Sequence, residues 1–157
     1  MAIYLKNARF INNQTLEIVD KNIKVTEGVD GYMNFIDNLP LSLSENDTVI
    51  DCKGKIVTKS FVNAHHHVYS ALSRGMNPPK HTPTNFYEIL KYVWWTLDKC
   101  LDDKTIEYSA LCTAMACAKN GVTFVIDHHA SPFHINNSLS IIAEAFEKVG
   151  VSHLLCY

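Results

Sequence analysis

The feature that most constrains this fold is an alternation of strand-like and helix-like segments that begins at Gly54. In order along the chain come a strand (56–62), a short helix (68–76), two longer helices (86–100 and 104–120), a strand (122–126), a helix (138–149) and a strand (151–156). The first strand is of the apolar type that is covered on both faces. The apolar stripe of 86–97 is interpreted as core, and either Asp102 or Asp103 is the expected cap of the helix 104–120. Strands that alternate with helices at this spacing form a parallel sheet with right-handed crossovers. The sequence therefore predicts an α/β fold in which the strands end at the same rim of the sheet.

Residues 1–53 follow a different pattern, in which short strand-like segments are separated by turns. The strand-like segments are 3–5, 8–11, 16–19, 22–25 and 48–52. Poor alternation and Pro40 predict a loop or irregular crossing over 31–45. We therefore expect a small β unit over 1–53 and the alternating α/β segment over 54–157.

Composition and charge exclude two classes of partner. The formal net charge is −2 and the pI is about 6.4, without a polybasic cluster. Nucleic acids and anionic membranes bind clustered Lys and Arg, so we expect neither as a partner. The N-terminal segment carries Lys6 and Arg9 and lacks the apolar run of a signal peptide. The sequence predicts a cytoplasmic protein.

The first strand of the alternating segment ends in the run Asn63-Ala64-His65-His66-His67. Side chains alternate between the faces of a strand, so His65 and His67 share a face and His66 points to the other. Neutral imidazole is a common ligand of zinc and iron. Because two ligands hold such a metal poorly, the pattern predicts half of a metal site.

Other polar residues lie near the same predicted rim. The second strand ends in Asp127-His128-His129, where His128 and His129 either line a substrate pocket or are ordinary rim residues. Asp127 could orient a neighbouring histidine. Arg74 either meets an anionic substrate group bidentately or is a solvated arginine at a helix end. These alternatives stay open at the level of the residues.

Several segments in register carry a resemblance to a known family. They are Gly54-Lys55-Ile56-Val57, Phe61-Val62-Asn63-Ala64-His65-His66-His67, Ser73-Arg74-Gly75-Met76, Trp95-Thr96-Leu97-Asp98-Lys99, Asn120-Gly121-Val122-Thr123 and Asp127-His128-His129-Ala130-Ser131-Pro132. On these residues, the segment 54–157 resembles the amidohydrolase superfamily. It is most similar to the aminohydrolase/chlorohydrolase-like deaminase branch and, within it, to the SsnA-like aminohydrolases. The chain departs from the family at Lys59-Ser60, where Pro-Gly is usual, and in the N-terminal hairpin around 27–31.

The resemblance implies a (β/α)8 barrel of the TIM type, preceded by half of a small β-sandwich over 1–53. His65 and His67 would bind a divalent metal, zinc or iron. Family members are metal-dependent hydrolases that activate water to attack carbon–nitrogen bonds other than peptide bonds. The implied activity is that of an aminohydrolase or deaminase of a small nitrogenous or heterocyclic substrate. The family's remaining ligands and proton-transfer residues lie on later strands, so the catalytic residues stay unknown here.

Length sets the second hypothesis. A closed eight-stranded barrel takes about 200 residues or more, whereas 54–157 has room for about three strand–helix units. We therefore interpret the chain as an N-terminal fragment of a larger amidohydrolase-like protein. The alternative is a catalytically silent fragment or subunit that associates with a complementary C-terminal chain or as a homo-oligomer, because an open sheet exposes its edges.

Overall fold

The computed structural model describes residues 1–28 and 31–157, which form two compact units, Met1–Lys59 and Ser60–Tyr157. The division falls later than the boundary predicted after residue 53. Its cause is a short strand, β5 (Ile56–Val57), which pairs with the first strand of the N-terminal unit. Val29 and Asp30, in the hairpin that departs from the family pattern, lie outside the described residues.

The N-terminal unit is a five-stranded sheet. Its strands are β1 (Ala2–Ile11), β2 (Ile18–Thr26), β3 (Met33–Ile36), β4 (Thr48–Asp51) and β5. The order is β3-β2-β1-β4, with β5 also beside β1; the β1–β2 and β2–β3 pairs are antiparallel, and β4 and β5 run parallel to β1. The buried side chains of Ala8, Phe10, Ile23 and Cys52 form its core.

One prediction for this unit is wrong. The segment 31–45 was expected to be irregular, but it contains β3, which pairs with β2 from Asn22 to Val25. The short strand has no clear alternation because it lies at the edge of the sheet and buries none of its side chains fully. Periodicity therefore carries little signal there.

The C-terminal unit is a three-stranded parallel sheet with helices. Its strands are β6 (Phe61–His66), β7 (Val122–His128) and β8 (Ser152–Cys156), in the order β6-β7-β8. Its helices are α1 (Phe86–Ile89), a π-helical stretch (Leu90–Trp94), α2 (Trp95–Asp98), α3 (Asp103–Lys119) and α4 (Ser138–Val149). The predicted alternation of strands and helices is thus present as a parallel α/β unit.

Local sequence sets the ends of α3. The Asp102 carboxylate accepts the Thr105 N–H at 2.8 Å, and the Thr105 hydroxyl in turn accepts the Asp102 N–H at 2.8 Å, which forms a reciprocal capping box. At the other end Gly121 has φ +72°, a left-handed conformation that glycine adopts at low cost. The helix stops there, and β7 starts at the next residue.

The core of this unit lies between the sheet and helices α3 and α4. Ile106, Ala114, Val125, Ile142 and Phe146 are fully buried in it. Helix α3 packs against both α4 and β7, and Val125 is the fully buried residue of β7 in this core. This packing fixes the helix-facing side of the sheet.

The opposite side of the sheet is open. Val62 of β6 and Leu154 of β8 are 58% and 57% exposed, although a strand covered on both faces was predicted for 56–62. Only the helix-facing side is covered within the described residues, which is the reason for the difference. The sheet leaves a partly apolar face uncovered.

Two helical predictions also need correction. The segment 68–76 was expected to be a short helix, but only Val68–Ser70 forms a single 3₁₀ turn. The apolar stripe of 86–97 was interpreted as core, yet Phe86 is 70% exposed and Trp95 39% exposed. Of that stripe, Trp94 and Leu97 do pack against the core.

Among the described residues, none of the helices combines the length and the apolar character needed to cross a bilayer.

Candidate metal half-site

His65 and His67 lie together at the carboxyl end of β6. The centroids of their rings are 4.9 Å apart and the ring planes are nearly perpendicular, at 89°. The pairing of β6 with β7 shifts between Asn63 and His66, where β6 has one more residue than its partner, and the Asn63 side chain accepts the His65 N–H within this bulge. Bulges of this kind re-aim side chains near sites.

A backbone contact sets which nitrogen of the His67 ring carries a hydrogen. Its Nδ1 lies 2.9 Å from the carbonyl oxygen of His128. A carbonyl oxygen only accepts hydrogen bonds, so Nδ1 must carry the hydrogen. In the neutral ring Nε2 then keeps its lone pair, which is the form that binds a metal.

Asp127 fixes the backbone that follows His67. Its buried carboxylate accepts the Val68 N–H through Oδ1 at 2.7 Å, while Oδ2 is buried without a hydrogen-bond partner in the described structure. Burial raises the pKa of this carboxyl, and the Val68 N–H and nearby histidines partly offset the rise. Asp127 therefore orients the chain around His67 through Val68 and does not hydrogen-bond a histidine ring.

His66 lies on the other side of the strand, where it is paired with Asp127 on the neighbouring strand β7. Burial lowers the pKa of its imidazole, and the charge of Asp127 partly opposes that effect. With Asn63 and helix α3, His66 lines a cleft of about 630 Å³ on the helix-facing side of the sheet. It is separated in this way from the His65–His67 pair.

Arg74 is on the same side as His66. Its exposed side chain lines that cleft together with Cys112 and Asn120 of the α3 region. The structure therefore does not bring Arg74 together with His65 and His67. In the described structure Arg74 is therefore not placed to bind an anionic group beside the histidine pair.

His128 and His129 have different surroundings. The His128 ring lies 5.6 Å from the His67 ring and is exposed, so it borders the pair. His129 is fully buried, and its Nε2 lies 2.9 Å from the Ser131 hydroxyl. Since that hydroxyl donates to the His134 carbonyl, it accepts from His129. Burial lowers the pKa of His129 to about 4, so the ring is neutral near pH 7.

Three residues beside the pair escaped the sequence reasoning. The ring centroids of Tyr69 and Trp94 lie 5.9 Å and 5.7 Å from that of His67. Asp98 is 7% exposed, and its Oδ1 is buried without a partner in the described structure. Burial raises the pKa of Asp98, with the Tyr69 hydroxyl and His67 acting against the rise. The sequence did offer a signal for Asp98, because it lies in the segment 95–99, one of those that carry the family resemblance.

The donor set fits half of a metal site. Two imidazole rings lie edge to face, and one of them is held in the ligand tautomer by the protein backbone. Within residues 1–28 and 31–157, no group of three or more His, Cys, Asp or Glu side chains is placed to hold a metal ion. A structural or catalytic zinc takes three or four protein ligands, so further ligands are needed.

The whole chain is similar in sequence to known deaminases. It is 28% identical over 158 residues to 5-methylthioadenosine/S-adenosylhomocysteine deaminase of Thermococcus sibiricus, covering 100% of this chain and 33% of that protein. No protein-family model matches the chain. The chain thus spans about a third of the length of the curated relatives it matches.

Solved structures share the fold. A variant of atrazine chlorohydrolase TrzN from Arthrobacter aurescens, complexed with zinc and atraton, superposes with a TM-score of 0.69 at 16% identity, covering 99% of this chain and 35% of that one. Guanine deaminase from C. acetobutylicum, with guanine bound, gives 0.67 at 19% identity, covering 99% and 36%. Both units of the chain therefore have counterparts in larger proteins.

Proposed function

Since its homologues are deaminases and its fold is that of the N-terminal part of amidohydrolase-superfamily enzymes, we propose that this chain supplies half of the metal site of a hydrolytic deaminase. Its parallel unit forms the first strands of a (β/α)8 barrel. The five-stranded sheet of 1–59 forms half of a small β-sandwich. The substrate is a small nitrogenous or heterocyclic compound.

One observation carries this proposal. The His128 carbonyl accepts the Nδ1 hydrogen of His67, while the His65 ring lies 4.9 Å away. Histidine ligands of metals usually donate their second ring nitrogen to a carbonyl or carboxylate, which fixes the ring and raises its basicity. An ordinary surface pair of histidines has no need of such a contact.

The residues of this chain have distinct tasks in that site. His65 and His67 would hold the metal, which supplies the polarisation that makes water a nucleophile near pH 7. The His128 carbonyl orients the His67 ring, and Asp127 secures the turn that follows it. Tyr69 and Trp94 lie beside the His67 ring and would shield one side of it from water when the site is complete.

The metal is zinc or iron. Imidazole nitrogens suit both ions, and the related fold of TrzN was solved with zinc. The further ligands and the groups that move protons would come from protein outside these residues. They would lie in the rest of a longer protein of which these residues are the N-terminal part, in a complementary C-terminal chain, or in a second copy of this chain.

A second candidate is a catalytically silent subunit whose open sheet binds a complementary chain. The exposure of Val62 and Leu154 on the uncovered face favours this candidate. It predicts the same association as the first candidate but gives no role to the contact between His67 and His128.

A chimera tests the first proposal against the second. Residues 1–157 would replace the matching third of the Thermococcus sibiricus deaminase, and ammonia release from 5-methylthioadenosine would be followed together with zinc content. We expect activity that His65→Ala and His67→Ala each reduce by about 100-fold or more, while His134→Ala, whose ring pairs with Asp103 at the start of α3, serves as the matched control. A folded chimera that binds zinc but has no activity would contradict the proposal.

A further inference from the structure

A second cleft lies beside the histidine pair, between the loop 73–81 and the helical segment 91–97. Its volume is about 670 Å³, which is within the size range of pockets that bind small molecules. Its walls are largely apolar, with Met76, Pro78 and Pro79 on the loop and Val93 and Leu97 on the helical segment. Such walls suit an apolar or aromatic ligand.

Trp94 connects this cleft to the histidine pair. It lines the cleft together with Tyr92, and its ring centroid is 5.7 Å from that of His67. Both aromatic residues belong to the π-helical stretch Leu90–Trp94. The wider turn of a π-helix is uncommon and is frequent at functional sites. A ligand stacked on these rings would extend from the cleft toward the histidines.

The charged side chains that line the cleft belong to two lysines, Lys80 and Lys91. His81 also lines it, and none of its lining residues is acidic. The Lys91 ammonium lies 5.4 Å from the centroid of the Tyr92 ring, a cation–π contact that holds it at the cleft. Glu88, the nearby acid on α1, accepts hydrogen bonds from the Thr84 N–H and hydroxyl at 2.8 and 2.9 Å.

We propose that this cleft binds an aromatic or heterocyclic compound that carries an anionic group, with Tyr92 and Trp94 stacking on the ring and Lys80 and Lys91 meeting the anion. That the compound is the non-reacting part of the substrate rests on the proposed deaminase function. The cleft then selects acidic substrates over neutral ones of the same shape. Arg74 has no part in this selection because its side chain lines the cleft that contains His66 and does not line this one.

The test uses two probes that differ only in charge, adenosine 5′-carboxylate and adenosine 5′-carboxamide. Binding to the 157-residue chain is followed by quenching of tryptophan fluorescence, with a metal chelator present. We expect the carboxylate to bind about fivefold more tightly than the carboxamide, as for a partly exposed ion pair. The double variant Lys80→Gln/Lys91→Gln should remove that preference.

Lys119→Gln, at the exposed end of α3, is the matched control and should keep the preference. Equal binding of both probes, no binding of either, or a preference that survives in the double variant would each overturn the proposal. Because the chelator removes any metal, the result does not depend on the histidine pair. If the chain binds the carboxylate selectively but fails to bind zinc in a separate titration, the cleft would still be a binding site for an anionic compound. Its assignment to the substrate of a deaminase would then be overturned.

Discussion

At the scale of residues, the backbone does as much for the candidate site as the histidines do. His67 can present Nε2 because the His128 carbonyl takes the Nδ1 hydrogen, and the turn after it is secured by Asp127. The sequence showed that histidines follow one strand and Asp127-His128 the next. It could not show that a main-chain oxygen would set the tautomer, since a contact across two strands depends on their register.

Asp127 should affect metal binding without being a ligand. We expect Asp127→Ala to weaken zinc binding about tenfold, because the Val68 N–H loses its acceptor and the turn after His67 loosens. Asp127→Asn keeps an oxygen in the same place and should bind zinc nearly as well as the wild type. Competition with a zinc-sensitive dye measures both. Equal affinities of the alanine variant and the wild type would show that the carboxylate does not position His67.

His129 should make the stability of the fold depend on pH. Burial lowers its pKa in the folded chain from 6.5 to about 4, so between these values the unfolded chain binds more protons. Above pH 6.5 the ring is neutral in both states, so His129 does not lower the free energy of unfolding. As the pH drops from 6.5 toward 4, protonation of His129 in the unfolded chain lowers that free energy by up to about 3 kcal/mol. Urea unfolding at several pH values measures this change.

His129→Gln is the control for that pH dependence. Glutamine can still donate to the Ser131 hydroxyl but does not titrate. The variant should show a shallower fall in unfolding free energy between pH 6.5 and 4 than the wild type. Identical slopes in the two proteins would contradict a buried neutral His129.

At the scale of elements, regular helices were easier to predict than the irregular segments around the site. Helix α4 spans the predicted residues 138–149, and the cap of α3 is Asp102, one of the two residues expected there. The segment 68–76 was predicted as a helix and contains only one 3₁₀ turn. Its geometry follows from the anchoring of Val68 by Asp127, a contact between residues 59 positions apart, which no local pattern reports.

The cap of α3 should contribute measurably to stability. Asp102→Ala removes the acceptor of the Thr105 N–H, so we expect the free energy of unfolding to fall by about 1 kcal/mol. Lys104→Ala, in the first turn of the same helix, should change it much less. Urea denaturation followed by circular dichroism compares them. A loss as large in the lysine variant would mean that the capping box is not the cause.

At the scale of the whole molecule, the resemblance drawn from the sequence to the amidohydrolase superfamily is confirmed by the relatives and the shared fold. The parallel order β6-β7-β8 agrees with it. Closure into a barrel and the roles of individual residues stay predictions. They depend on strands and ligands that none of the described residues provides.

The uncovered face of the β6-β7-β8 sheet should drive association of the chain. Val62 and Leu154 are both more than half exposed on that sheet. We expect sedimentation to show species larger than a monomer, and Val62→Lys to shift them toward monomer. Leu41→Lys is the control, because Leu41 is equally apolar and fully exposed, but lies outside the strands. A wild-type chain that stays monomeric at all concentrations would contradict this expectation.

Zinc binding by the 157-residue chain tests the central claim most directly. Calorimetric titration should find one weak site per chain, with affinity reduced about tenfold or more by either His65→Ala or His67→Ala. His66→Ala, on the other side of the strand, should bind as the wild type does. Zinc affinity that is unchanged by both His65→Ala and His67→Ala would show that this pair is not half of a metal site.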